Sequence, residues 1–163
     1  MLLNIGDPLL FIFFLVALLI AITIHEFFHA FVTDFLGDPT PRLAGRLTLN
    51  PLAHLDFLGT LMLLLAGFGW GKPVPYNPYF LKRGGKFAPV LIAFAGPFSN
   101  FCLAFILSVF YRILYFYLGE NIFIQGLYLI IQVNIILMVF NLLPIPPLDG
   151  SKIFYLLPKI NYT

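Results

Sequence analysis

The sequence predicts an all-α membrane protein with three long transmembrane helices, a re-entrant or interfacial segment, and short β-strands in the loop after the first helix. Composition is the first observation behind this. The 163 residues are 61% hydrophobic and 10% charged, whereas an ordinary globular domain carries about 25% charged residues. The second is arrangement: the apolar residues gather into long charge-free runs, which mark helices that cross a bilayer. The third is that the stretches between runs are polar and rich in turn-forming residues. A chain of this length allows one domain, residues 1–163, with a handful of spans and no separate soluble module. Its net charge of +2 is too small to point to nucleic acid. Cys102, the single cysteine, lies in an apolar run and permits no internal disulfide.

The first run extends from residue 8 to 36. It has no basic segment before it and passes directly into a histidine cluster, so it reads as a retained span and not as a cleaved secretory signal. Gly37 and Pro39 end it. Residues 37–51 are turn-rich, and Arg46, Leu47, Thr48 and Leu49 alternate in the manner of a strand. Residues 55–70 are apolar again, but the charge-free part is short and broken by Gly59, Gly67 and Gly69. A segment of that length suits re-entry better than crossing. Residues 71–86 hold three prolines and four basic residues and read as a loop with extended pieces. A span from residue 87 to 111, continuing to 118, contains Gly96-Pro97, where a kink is expected. The last long run starts at residue 121 and spans to about 143, before Pro144, Pro146 and Pro147 break it ahead of Asp149-Gly150.

Inside the first span stand His25, Glu26 and His29. Residues four apart lie one turn above each other on a helix, so both imidazoles can grip one metal ion. Glu26, about 100° further round, comes beside that ion and can take a proton from a water on it. This is the geometry of the HExxH zinc hydrolases. Ionisable groups in such apolar surroundings are expensive unless they pair, bind metal or work. With His25 about 25 Å along the helix from Pro8, the metal lies toward the exit face of the bilayer.

A catalytic zinc takes three protein ligands and keeps one position for water. The remaining candidates are few: His54, Glu120, Asp7, Asp34, Asp38, Asp56 and Asp149. Asp34 points away from the histidine face, Asp7 starts the span at the wrong end, and Asp38 and Glu120 sit in turns where a solvated charge is expected. Asp149 follows the proline-broken end of a span, and irregular backbone at that depth is tolerated where it lines a cavity. Topology supports the choice. With residues 55–70 re-entrant, three spans remain, and the ends of the first and last fall on one face. Arg42, Arg46, Lys72, Lys82, Arg83, Lys86, Lys152 and Lys159 then share that side, leaving only Arg112 elsewhere. The N-terminus is thus expected outside the cytoplasm and the metal near the cytoplasmic face.

Three amides lie within the predicted helices, and each needs a partner there. For Asn134 an interhelical hydrogen bond is the expectation. Asn141 and Asn100 are candidates for holding a substrate carbonyl or oxyanion. His54, two residues before Asp56, is either a structural partner of that carboxylate or a substrate-handling group.

Taken together, these residues resemble the site-2 protease family of intramembrane zinc metalloproteases. The resemblance rests on the helix of His25, Glu26 and His29, on Asn141 through the proline-rich break to Asp149-Gly150, and on Gly96-Pro97-Phe98-Ser99-Asn100. The stretch from Gly45 to Pro51 and His54, with Lys72 to Pro75, resembles the small bacterial and archaeal members that have only the membrane core. The likeness implies one zinc ion held by His25, His29 and Asp149, Glu26 as catalytic base, and transmembrane proteins or peptides as substrates in a prokaryotic cell membrane. Many relatives carry a further span or an added module, and this sequence stops at Thr163. The alternative from another class is a noncatalytic membrane metal-binding or metal-transport protein, which has no need of a base beside two ligands. A di-iron membrane oxidase needs more than three histidines.

Overall fold

A computed structural model of the protein describes residues 8–66 and 69–160. Asp7 and Gly67 of the sequence argument lie outside the described residues. Helix α1 is Pro8–Phe35, α4 is Ala88–Leu118 and α5 is Ile122–Asn141. These three are long and apolar enough to cross a membrane. Between α1 and α4 come two short helices, α2 (Thr40–Leu43) and α3 (Phe57–Ala66), and α6 (Asp149–Ile160) follows the proline-rich break. At 1.5 Å per residue α3 rises about 15 Å, half the hydrocarbon thickness, so it is too short to cross.

Packing follows small residues. On α1 the buried positions Ala17, Ala21, His25, His29 and Thr33 form one row at a spacing of four, which meets α5 near its start and α4 and α6 further along. Ala17 and Ala21 make a core with Val133 of α5. Helix α4 in turn buries Ala93, Ala95, Gly96, Ser99, Asn100 and Ala104. Small side chains let helix backbones approach in a medium that offers no hydrophobic drive between helices. The outward face of α4 carries the stacked rings of Phe94, Phe98, Phe101 and Phe105, each exposed in the isolated protein, as a lipid-facing surface requires.

The loops are tied across the end of α1. Leu36 O accepts from Lys82 N and Arg83 N at 2.9 and 3.0 Å. Asp38, fully buried, accepts from Thr40 N and Asn77 N. The strands expected after the first helix are not formed among the described residues, which hold only an isolated bridge between Leu55 and Gly71. The physical reason lies in local competition. Around the alternating residues 46–49, Thr48 O is taken by the His54 ring, Thr48 Oγ1 accepts from Asn50 N, and Asn50 caps the 3-10 turn Pro51–Ala53. Side chains that satisfy nearby backbone groups leave none for a ladder.

Candidate metal centre

Three atoms converge where α1, α4 and the start of α6 meet. His25 Nε2 and His29 Nε2 are 3.0 Å apart, and Asp149 Oδ2 lies 3.1 Å from the first and 2.9 Å from the second. All three residues are buried. The helical spacing brings the rings together, with centroids 4.6 Å apart and planes at 82°. Asp149 is delivered by the break between α5 and α6. A Cβ on Gly150 would overlap the Leu142 and Leu143 carbonyls, so glycine at that position lets the start of α6 tuck against the end of α5.

The proton positions follow from the neighbours. A backbone carbonyl only accepts, so Ala21 O, 3.0 Å from Asn100 Nδ2, fixes which end of that amide is which. Asn100 Nδ2 also donates to Asn134 Oδ1 at 2.8 Å, and Asn134 Nδ2 donates to Ile130 O. Asn100 Oδ1 therefore faces His25 Nδ1, which donates to it at 2.7 Å. His29 Nδ1 donates to Ile92 O at 2.7 Å. Both rings in their neutral form then carry the proton on Nδ1 and a lone pair on Nε2. Two such lone pairs and a carboxylate oxygen within about 3 Å of each other repel unless a cation lies among them. This donor set fits a metal ion, and His25, His29 and Asp149 form a group able to hold one. Gly96 gives the same answer from the other side. A Cβ built there would overlap His29 Nε2 and come within 2.6 Å of His25 Nε2, so only glycine leaves the space between the rings open.

Beside the three atoms lies a cavity of about 890 Å³, lined on one side by apolar residues of α1, α4 and α5 and on the other by Trp70, Gly71, Pro73, Val74 and Tyr76. Glu26 reaches into it, as do Asn141 and Lys152. Lys152 Nζ is 3.1 Å from Asp149 Oδ1, the oxygen turned away from the histidines. That pairing leaves Oδ2 as the oxygen that faces the two imidazoles.

The other candidate residues stand at different places. Asn100, fully buried, lies behind His25 with its amide protons given to Ala21 O and Asn134 Oδ1. This differs from the oxyanion position expected of it, because both donors are spent away from the cavity. Asn141 lines the cavity and uses one amide proton on Leu137 O, keeping the other. His54 is fully buried outside the cavity, its Nε2 donating to Thr48 O at 2.8 Å. It does not touch Asp56, whose carboxylate caps α3 at Gly59 N. Burial and the adjacent Arg46 guanidinium hold the His54 imidazole below its ordinary pKa, against the Thr48 hydrogen bond. Two further residues contribute to the site. In the sequence Gly96 reads as a kink signal and as part of the resemblance, and Arg46 as a strand residue, a topological charge and part of the resemblance; neither reading carries a place at the site, where Gly96 faces both Nε2 atoms and Arg46 faces Glu26.

Two helical histidines, an inward carboxylate and an acid beside them, set in a bundle of membrane-crossing helices, define a membrane-bound metallohydrolase site. The profile described as "Peptidase family M50" matches residues 118–161. The Bacillus subtilis protein named "Putative zinc metalloprotease YwhC" is 44% identical over 147 residues, covering 86% of this chain and 67% of that protein. The Mycobacterium tuberculosis protein named "Putative zinc metalloprotease Rip2" is 32% identical over 146 residues, 86% of this chain and 55% of that protein. A Methanocaldococcus jannaschii protein named "Putative zinc metalloprotease MJ0611" is 34% identical over 100 residues, 59% of this chain and 48% of that protein. The chain belongs to peptidase family M50, whose members are zinc metalloproteases. It spans between about half and two thirds of the length of these curated relatives. No solved structure matches it significantly.

Proposed function

We propose that the chain is the catalytic core of an intramembrane zinc metalloprotease that hydrolyses peptide bonds of membrane-spanning substrates. The observation that carries this is the meeting of His25 Nε2, His29 Nε2 and Asp149 Oδ2 at the wall of a largely apolar cavity that Glu26 also enters. His25, His29 and Asp149 would hold a zinc ion, which would supply a Lewis acid toward water and a carbonyl. Glu26, one residue after His25 on α1, takes the proton of the attacking water and passes it to the leaving amine. Asn141 turns its remaining amide proton toward the substrate oxygen that gains charge. Asn100 holds His25 in the tautomer that offers Nε2 and does not touch substrate.

A helical substrate hides its carbonyls, so it must unwind locally before cleavage. Pro147 and Leu148 line the cavity and can hold such a segment extended. Residues 46–49 are unsuited to that, since the Thr48 carbonyl is already taken by His54. The basic residues shared by one side of the three spans support a cytoplasmic placement of the site. The metal-transport alternative explains the ligands but gives Glu26 nothing to do.

The test is cleavage of transmembrane peptides by the purified chain in vesicles, with Glu26→Gln alongside. The variant is expected to keep its zinc and to lose turnover by about 10²–10⁴-fold. Full activity of Glu26→Gln, or zinc-loaded wild type that cleaves none of a broad set of membrane peptides, would refute the proposal.

A further inference from the structure

The stretch from Arg46 to His54 lies outside the metal centre, yet it contains one of the least comfortable groups in the molecule. Arg46 is 3% exposed. Its Nη1 donates to Pro73 O at 3.0 Å and its Nη2 donates to Lys72 O. The His54 ring completes the cradle. Because Nε2 of that ring must donate to the Thr48 carbonyl, Nδ1 is bare and faces Arg46 Nη2 at 3.5 Å. The Arg46 Nε is buried without a partner. Such a donor costs free energy, so a bland packing role accounts poorly for an arginine here. The same Nη2 lies 3.9 Å from Glu26 Oε2, the carboxylate that enters the cavity.

The segment gripped by Arg46 is itself a cavity wall. Gly71, Pro73 and Val74 line the cavity, and Lys72 N donates to His54 O at 2.8 Å. The wall passes so near Glu26 that a Cβ on Gly71 would be 3.5 Å from Oε1. One guanidinium thus touches the wall through two successive carbonyls, and the Nη2 that holds one of them also faces the acid.

We propose that Arg46, braced by His54, is a positioning residue that holds residues 71–74 and the Glu26 carboxylate in a fixed relation, so that substrate laid along the wall meets the base at the right distance. This rests on Glu26 being the base. The planar fork is needed for it: an ammonium cannot bond two carbonyls in one plane while presenting an edge to a carboxylate. Lysine at this position therefore keeps the charge but loses the link.

The experiment uses the whole chain in vesicles, comparing wild type, Arg46→Lys and His54→Gln. Zinc content, hydrogen exchange of the amides in residues 71–76, and kcat and KM on a transmembrane peptide are read for each. Arg46→Lys is expected to bind zinc as wild type does, to exchange at least tenfold faster in residues 71–76, and to lose about 10–100-fold in kcat with little change in KM. His54→Gln should move the same readouts in the same direction by less. Wild-type exchange in Arg46→Lys, or faster exchange with kcat intact, would overturn the proposal. Should the wild type itself prove inactive on every substrate, the protease reading fails, and the exchange measurement still decides whether Arg46 holds the wall.

Discussion

The two walls of the cavity are built on opposite principles. Behind the histidines, α1, α4 and α5 meet through small residues. Every polar atom of the relay from His25 through Asn100 to Asn134 has a partner there, ending on the carbonyls of Ala21 and Ile130. In front, residues 46–56 and 69–76 form no helix longer than a single turn, and they are joined by the Arg46 guanidinium, whose Nε has no partner, and by the backbone bond from Lys72 N to His54 O. A helical wall with saturated hydrogen bonds fixes ligand atoms to a fraction of an ångström, whereas a wall of loops can yield to a peptide. Holding the metal and handling substrate are therefore separable by mutation.

Gly96→Ala should have the largest effect on the helical wall. The added methyl occupies the space between the two Nε2 atoms, and the helix that carries it cannot retreat without opening the core. Zinc binding should vanish, by elemental analysis of purified protein, and activity with it; retention of stoichiometric zinc would break the picture of a rigid back wall. Glu26→Gln comes next, with turnover lost but zinc kept, and co-loss of zinc in that variant would mean that the two functions are not separable. Asn100→Ala removes the acceptor that sets the His25 tautomer. It should weaken zinc binding by about 10–100-fold in chelator competition. Asn134→Ala leaves one Asn100 proton without a partner in a buried place, at a cost of about 1–3 kcal/mol. Thermal unfolding in detergent should show this as a lowered midpoint, with a smaller change in zinc affinity than Asn100→Ala produces. Lys152→Met should do least. The lysine side chain is half exposed, and pairs of that kind contribute about 1 kcal/mol or less, so a shift in zinc affinity of fivefold or less is expected.

Much of this was legible in the sequence because lipid simplifies the grammar. Charge-free runs located α1, α4 and α5, and the shortness of the run at residues 55–70 separated α3 from them. The same scarcity of charge made elimination workable: with three histidines and seven acids, Asp149 could be singled out as the carboxylate that the geometry now places beside His25 and His29. What stayed hidden depends on tertiary contact. The alternation at residues 46–49 carries the same signal whether a strand forms or local side-chain bonds prevail, and here the bonds to Thr48 prevail. The orientation of Asn100 follows from the Ala21 carbonyl, 79 positions away, which no local pattern encodes. Gly96 looked like a bend because its real reason, the two imidazoles opposite, lies on another helix.

The row Ala17, Ala21, His25, His29 and Thr33 carries one more implication. Packing contacts and the two imidazoles follow one continuous, slowly winding row of α1, so displacing that helix cannot disturb one without the other. Metal occupancy and the packing of α1 are then expected to fall together in any substitution that loosens this row, whichever of the two it touches first.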